Sequence, residues 1–526
     1  MKRIKLTMAF MMLLQLAFAG GILTNYNQSA QYIRMLSRNA SLDVDAVFYN
    51  PAGLIKLNDG WHFSFSSQTI WQTREVTSNF PLLMNDHDNY YEGKTFAPVF
   101  PDFYGVYKKN KWAFSLGVGP AAGGGSAEFE NGLPSFEIPI SKLGSGLGQL
   151  SPLFNSYQIP SVNGYSIDMS FEASSIFWGI QLGASYAIND MISVYGGVRV
   201  MPSINTYDGT ISNISVLTSQ GNLPADNYLA LVKPVLDGTI NSIDQASSGL
   251  QAAIGAGLVD GNASVSNPEI LQLLGAFGIT DVTNQEAVYA MEATNLKLGI
   301  IRDADVTDKE VDSKQTGIGF TPIISVNISP NDDWNIALKY EHRTTLKLTN
   351  DTKVDDMGLF PDGAESRNDV PGLIAAGVGY RGLDWMEVQL SYNYFLDKGV
   401  DWGYNVRYNA VGEAVHREID KNTHEVALGL QFNLTDNFAL SVGGLYLSNG
   451  VAESFHSDFS YNNGAYAIAG GLEWKITDRL TFDAGLSQIA YQEEEVTFLD
   501  PDIGNYTDIY GKNAFMFGAG VSVSIF

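Results

Sequence analysis

The feature that most constrains this chain is a strict two-residue alternation held over segments of about ten residues or more. In WMEVQLSYNYF, Met386, Val388, Leu390, Tyr392 and Tyr394 fall on one side of an extended chain. Glu387, Gln389, Ser391 and Asn393 fall on the other. Val426, Leu428, Leu430, Phe432 and Leu434 oppose Glu425, Ala427, Gly429, Gln431 and Asn433 in the same way. Ile176, Trp178, Ile180, Leu182, Ala184 and Tyr186 share a face, as do Ile318, Phe320, Ile324, Val326 and Ile328. The pattern returns in 334–340, 438–446, 466–476 and 480–486. A period of two is the period of a strand with two unlike faces.

A soluble sandwich alternates too, so three further features decide the class. The segments are long, whereas soluble strands usually run to about five or six residues; a tilted strand crossing a bilayer needs about ten. Short polar turns alternate with long connections. The short ones fall at 109–111, 189–190, 330–333, 382–384, 435–437 and 477–479, and the longest connection runs from about Tyr207 to Gln315. Trp112, Trp334, Trp385 and Trp474 all lie within a few residues of a short turn, forming an aromatic girdle at one end. These turns join strand pairs, and one strand at each end brings the total to about fourteen, an even number as such barrels have. The expected fold is an all-β transmembrane antiparallel barrel over 60–526, with both ends of the barrel on the short-turn, periplasmic side. Apolar faces meet lipid, and Arg199, Lys339, Glu341, Arg343, Glu387, Glu425, Glu473, Lys475 and Asp483 face the lumen. A Lys or Arg turned to lipid at the midplane would cost about 2–4 kcal/mol.

Composition excludes several function classes. The 526 residues carry a net charge of -26, against a nucleic-acid partner, and contain no cysteine, which removes disulfides, thiolate metal sites and thiol nucleophiles. Lys2, Arg3 and Lys5, the apolar run Leu6 to Phe18, and Ala17-Phe18-Ala19 read as an export signal over 1–19. The apolar run is too short to span a bilayer as a helix.

The stretch from Gly20 to about Asp59 lacks barrel alternation and carries Tyr26, Tyr32, Arg34, Arg38 and the motif Asn50-Pro51-Ala52-Gly53-Leu54. Asn before Pro favours a turn and Gly permits positive φ. The stretch reads as a periplasmic-side hatch inside the barrel. Within the 207–315 connection, Asn267 caps a helix that begins with Pro268 and Glu269, and Ile270, Leu273, Leu274 and Phe277 form its apolar face. That face either packs against neighbouring helices or lines a groove for an apolar ligand. Residues 283–298 read as another helix, and 227–236 and 249–259 as weaker ones. The third strand breaks at Pro120, among Gly117, Gly119, Gly123, Gly124 and Gly125. It either ends there or opens the barrel wall sideways.

These features resemble the FadL-type long-chain fatty acid transporters of Gram-negative outer membranes, a family that includes the TodX-type hydrocarbon channels. The resemblance rests on NPAGL at Asn50–Leu54 after an export signal, on Phe100–Gly125 as second and third strands, and on the strand–turn–strand rhythm of YAINDMISVYGGVRV, ISPNDDWNIALKYEH and FNLTDNFALSVGGLY. It implies capture of an apolar ligand in the outer loops, passage to an interior pocket, hatch rearrangement and release through a kink in the third strand. Carried over, the kink lies within Gly117 to Gly125 and the groove in the helical insertion. Arg199, Lys339 and Arg343 are head-group candidates on strand phase alone.

The expected function is passive uptake of hydrophobic small molecules by a monomer in the outer membrane, inserted by the barrel-assembly machinery. Long-chain fatty acids lead; hydrocarbons, a non-selective porin or an outer-membrane lipase are alternatives. No cofactor and no metal is expected, and no EF-hand spacing occurs. An enzyme is disfavoured because none of the six histidines stands with a G-x-S-x-G nucleophile motif.

Overall fold

The computed structural model describes residues 24–85, 87–401, 406–408, 414–416, 419–448 and 450–525. The expected export signal and the terminal Phe526 lie outside them. Fourteen antiparallel strands close into a barrel. In chain order they are β1 (Gly60–Ser78), β2 (Tyr90–Lys109), β3 (Trp112–Phe129), β4 (Val162–Ala187), β5 (Ile192–Thr218) and β6 (Lys309–Ile328). There follow β7 (Trp334–Glu341, resuming at Lys347–Asp355), β8 (Glu365–Arg367, resuming at Gly372–Leu383), β9 (Met386–Leu396) and β10 (Thr423–Thr435). The last are β11 (Phe438–Leu447), β12 (Ala465–Thr477), β13 (Leu480–Tyr491, resuming at Glu494–Asp500) and β14 (Gly504–Ile525). β14 closes the ring on β1, from Trp61↔Ile525 to Ser78↔Asp508.

The faces fall as the alternation requires. Phe320, Ile324, Leu338, Leu390, Leu428, Val442 and Ile468 are exposed on the outside, while their neighbours Thr321, Ser325, Lys339, Gln389, Ala427, Ser441 and Ala467 are buried within. Trp112, Trp334, Trp385 and Trp474 all point outward near the short turns, joined there by Trp61. One expected lumen residue departs from the phase. Arg343 is exposed, because β7 is interrupted between Glu341 and Lys347 and the alternation does not carry through. Lys475, beside a short turn, is also half exposed.

The long connection is shorter than the sequence suggests. Tyr207 and Gln315 both lie inside strands, since β5 continues to Thr218 and β6 starts at Lys309. Above the apolar band the outer face turns polar, with Ser170 hydrogen-bonded to Thr210 and Ser174 to Thr206 across β4 and β5. A strand polar on its outer face loses the hydrophobic half of the alternation that marks it in sequence.

Helices form a crown at the long-loop end. They are α3 (Pro134–Gln149), α4 (Ser151–Asn155), α5 (Ala225–Gly255), α6 (Pro268–Gly275) and α7 (Asn284–Arg302), numbered after two short helices in the plug. The two weak helical stretches are one helix, α5, with Pro234 inside it. Asn267 caps α6 as expected, and a reciprocal Thr283–Glu286 capping box starts α7. The two backbone and hydroxyl donors of Thr283 hold the Glu286 carboxyl below its usual range. Ile270 and Leu274 are buried in the crown's core, with Leu273 and Phe277 packed against it. That face serves helix packing; it is not an open groove.

Candidate functional site: a plugged lumen beside a gap in the wall

Residues 24–57 fill the barrel. The segment carries α1 (Ala30–Ile33), α2 (Ala46–Tyr49) and a 3-10 turn (Pro51–Lys56). Arg34 and Arg38 are among the largest fully buried side chains of the protein. Buried guanidinium groups need partners in hand. Arg38 binds Asp45 at 2.7 Å and Asp43 at 2.7 Å within the plug. Arg34 reaches the wall, to Asp483 at 2.8 Å and Glu473 at 2.8 Å.

The plug backbone lies directly on wall glycines. A Cβ at Gly377 would overlap Asn39, at Gly429 or Gly443 Met35, at Gly485 Arg34, and at Gly518 Ile33. On β9, between them, Ser391 accepts from the Asn39 N–H at 3.0 Å. Strands β8 to β14 thus present small residues at one level, which lets a main chain cross the lumen in contact with the wall.

The Asn50-Pro51-Ala52-Gly53-Leu54 motif sits on the opposite wall. Asn50 Nδ2 donates to the Ser41 carbonyl at 2.9 Å and to Asn327 Oδ1 at 2.7 Å. Pro51 opens the 3-10 turn, where a missing N–H costs nothing. The Pro51 and Ala52 carbonyls accept from Ser185 at 2.6 Å and Ser193 at 2.7 Å. Gly53 lies under the Asn50 amide, too close for any Cβ, and Leu54 is fully buried. The motif is a fixed turn clamped to β4 and β5.

The third strand does not end at Pro120. It continues to Phe129 with two register shifts against β4, between Pro120 and Ala122 and between Ala122 and Gly125. Gly123 and Gly125 take φ of 89° and 74°, which L side chains rarely adopt. Against β2 the consequence is larger. Pairing runs from Lys109↔Trp112 to Phe103↔Val118 and resumes only at Lys94↔Glu128. The intervening stretches of β2 and β3 are unpaired, so the barrel wall has a gap. Pro98, Pro101 and Pro120 border it, and none of them can donate to a ladder. Pro98 and Pro101 on β2 are the sequence signal of the gap that the glycines of β3 do not carry.

The start of the plug seals this gap from inside. Thr24 bridges to Ala122, Asn25 N–H donates to the Ala121 carbonyl at 3.0 Å, and Asn25 Nδ2 to the Pro120 carbonyl at 3.1 Å. Gln28 Nε2 donates to the same carbonyl at 2.5 Å. Behind the seal lies a cavity of about 10 Å³, lined by Gln28, Phe48, Tyr104, Gly117, Gly119 and Arg199. That is room for about one water.

Arg199 and Lys339 come together here, and Arg343 does not. Both cations bind Glu341, at 2.6 Å and 2.7 Å. Lys339 also donates to the Phe48 carbonyl at 2.7 Å, and both cations lie over the Phe48 ring. Glu341, which shares their site, links the two candidates into one ion cluster against the plug.

No family model and no curated protein matches this sequence. Among solved structures the chain is similar to a Pseudomonas aeruginosa FadL homologue, at 13% identity and a TM-score of 0.58, over 96% of this chain and 99% of that one. It is also similar to the TodX deltaS2S3 mutant monoaromatic hydrocarbon channel, at 13% identity and a TM-score of 0.51, over 96% of this chain and 100% of that one. A closed, fourteen-stranded antiparallel barrel that aligns along nearly its whole length with these structures has the FadL-type fold.

Proposed function

We propose that the protein is an outer-membrane channel for passive uptake of hydrophobic small molecules, long-chain fatty acids foremost. Ligand enters from the crown and leaves sideways, through the gap between β2 and β3, into the bilayer. The observation that carries this reading is the pairing of the plug's first residues with the unpaired edge of the wall. Among the described residues the plug covers this gap through a few neutral hydrogen bonds, and withdrawal of Thr24–Gln28 would make it a gate. The outward apolar band and the tryptophan girdle support a membrane setting.

The described conformation is closed, since the cavity behind the seal holds about 10 Å³. Passage therefore requires Thr24–Gln28 to withdraw, a population shift driven by preferential binding of ligand to the open state. Burial of the ligand's methylenes at about 0.8 kcal/mol each supplies that preference. A carboxylate would compete with Glu341 for Arg199 and Lys339. No ATP and no cofactor enters this scheme.

Uptake of labelled oleate and labelled toluene by cells with and without the protein tests the reading. Protein-dependent uptake of oleate supports it. Uptake of toluene alone shifts the ligand to the hydrocarbon class. No protein-dependent uptake of either ligand overturns it.

A further inference from the structure

The connection between β11 and β12 does not run over the crown. Every residue from Phe455 to Gly464 is buried, polar ones included. Connections normally lie at the surface, because buried main chain must find hydrogen-bond partners. This one finds them on other strands. Tyr461 Oη donates to the Gly511 carbonyl of β14 at 2.9 Å and accepts from the Glu75 N–H of β1 at 3.1 Å. Asn463 Nδ2 donates to the Gln492 and Tyr510 carbonyls at 2.7 Å and 2.8 Å.

The tip reaches furthest. Ser457 and Ser460 exchange two backbone hydrogen bonds, at 2.9 Å and 3.0 Å, so Asp458 and Phe459 stand at the apex of a tight turn. Asp458 Oδ2 accepts from the Ser135 N–H, in the first turn of α3, at 2.8 Å. A carboxylate there satisfies an orphan helix donor and meets the positive end of the helix dipole. The Phe459 ring packs edge-on against Phe136 of α3 at 5.3 Å and Phe171 of β4 at 5.7 Å between centroids. From β12 the ring of strands runs through β13, β14, β1, β2 and β3 before it comes to β4. The connection therefore crosses the lumen and ends against the far wall.

Its base fills the lumen beside the gap. Val451 and Phe455 share one apolar cluster with Ala121 and Ala122 at the kink of β3, Phe177 of β4 and Met201 of β5. Apolar space next to the unpaired edge is thus occupied by the protein's own side chains. We propose that the β11–β12 connection is an autoinhibitory lid, a second closure on the outer side of the lumen, distinct from the N-terminal plug. It joins neighbouring strands through Gly450 and Gly464, small residues able to absorb a hinge motion. Swinging outward withdraws Val451, Phe455 and Phe459 together and empties the apolar space for a ligand. The lid rests on the channel reading and adds to it an outer gate in series with Thr24–Gln28.

The chain has no cysteine, so one engineered disulfide can hold the lid shut. The 2.8 Å contact places residues 135 and 458 within disulfide reach. Full-length protein carrying Ser135→Cys and Asp458→Cys should cross-link on oxidation. Oleate uptake by cells expressing it should then fall to that of cells lacking the protein, and recover on reduction. Phe459→Ala removes two aromatic contacts of the closed state and should raise uptake about threefold or more. Should the reduced cysteine pair itself be inactive, Phe459→Ala decides alone. A pair that does not cross-link, equal uptake by its oxidised and reduced forms, or unchanged uptake in Phe459→Ala overturns the lid while leaving the channel reading intact. Wild-type protein that supports uptake of neither oleate nor toluene overturns both.

Discussion

Asn25 donates its backbone N–H to the Ala121 carbonyl across 3.0 Å, so the plug completes a strand edge that the wall leaves open. Neither half makes sense alone. An unpaired edge in hydrocarbon is costly because no water is present to satisfy it, and an extended segment inside a barrel has no sheet of its own. Joined, they cover each other: Thr24–Gln28 meets the open edge through neutral hydrogen bonds, and from Arg34 onward the segment is fixed by ion pairs.

Removing the kink should block the sideways route. From Pro120 to Gly125 β3 advances five residues while β4, from Trp178 to Ser175, advances three, a surplus of two. Deleting Ala121 and Gly123 restores register with β4 and brings β3 toward regular pairing with β2. The expected outcome is a folded, heat-modifiable barrel in gel electrophoresis, with oleate uptake reduced to that of cells lacking the protein. Undiminished uptake by that variant would show that ligand leaves by another path.

The wall glycines predict a contrast between neighbours. A Cβ on Gly443 would overlap the Met35 carbonyl, whereas one on Gly444 meets nothing within 4 Å. Gly443→Ala should loosen the plug, with overpacking of about 1–3 kcal/mol, and Gly444→Ala should leave it unchanged. Hydrogen exchange of plug amides reads the difference. Equal protection in the two variants would mean that the plug does not bear on this wall.

Much of the barrel was legible because lipid enforces a simple code: every outward position in the band must be apolar, and the period is two. The plug motif was legible as a turn, but its partners were not, since nothing in NPAGL announces Ser185, Ser193 or Asn327 on distant strands. The upper ends of β5 and β6 were lost because their outer faces turn polar above the apolar band while Tyr207, Ile211, Val216 and Val311 pack inside, so the sense of the alternation reverses. Arg343 was misplaced for a related reason, an interruption of β7 that breaks the phase. The gap shows the converse: Pro98, Pro101 and Pro120 stand in the sequence, but only the strand pairing reveals that they border the same gap.

Arg34 should prove the stronger of the plug's anchors. It is fully buried between Asp483 and Glu473, and removing one member of a buried ion pair costs about 3–5 kcal/mol because the other charge is stranded. Arg34→Leu should therefore release the plug, seen as protease sensitivity near residue 34 with the barrel intact. Adding Asp483→Leu together with Glu473→Gln should recover much of the protection, since no carboxylate is then left stranded and uncharged residues replace the buried ionic cluster. A plug equally protected in Arg34→Leu and wild type would refute the anchoring role.

The Asn50 amide offers a test in which size is held constant. Its nitrogen donates to two oxygens, the Ser41 carbonyl and Asn327 Oδ1. Asn50→Asp replaces that donor by a carboxylate oxygen, which at neutral pH meets both acceptors with no proton to share. Stranding two buried acceptors costs about 1–3 kcal/mol each, more than Asn50→Ala, which leaves them unpaired without adding a charge. The contact with Asn327 on β6 should loosen, and planar-bilayer conductance at pH 7.5 should rise in the order wild type, Asn50→Ala, Asn50→Asp. Lowering the pH protonates the introduced carboxyl and returns one donor. Conductance of Asn50→Asp should then fall toward that of the wild type, while Asn50→Ala stays flat. A pH-independent Asn50→Asp channel would mean that the motif does not hold the plug through this amide.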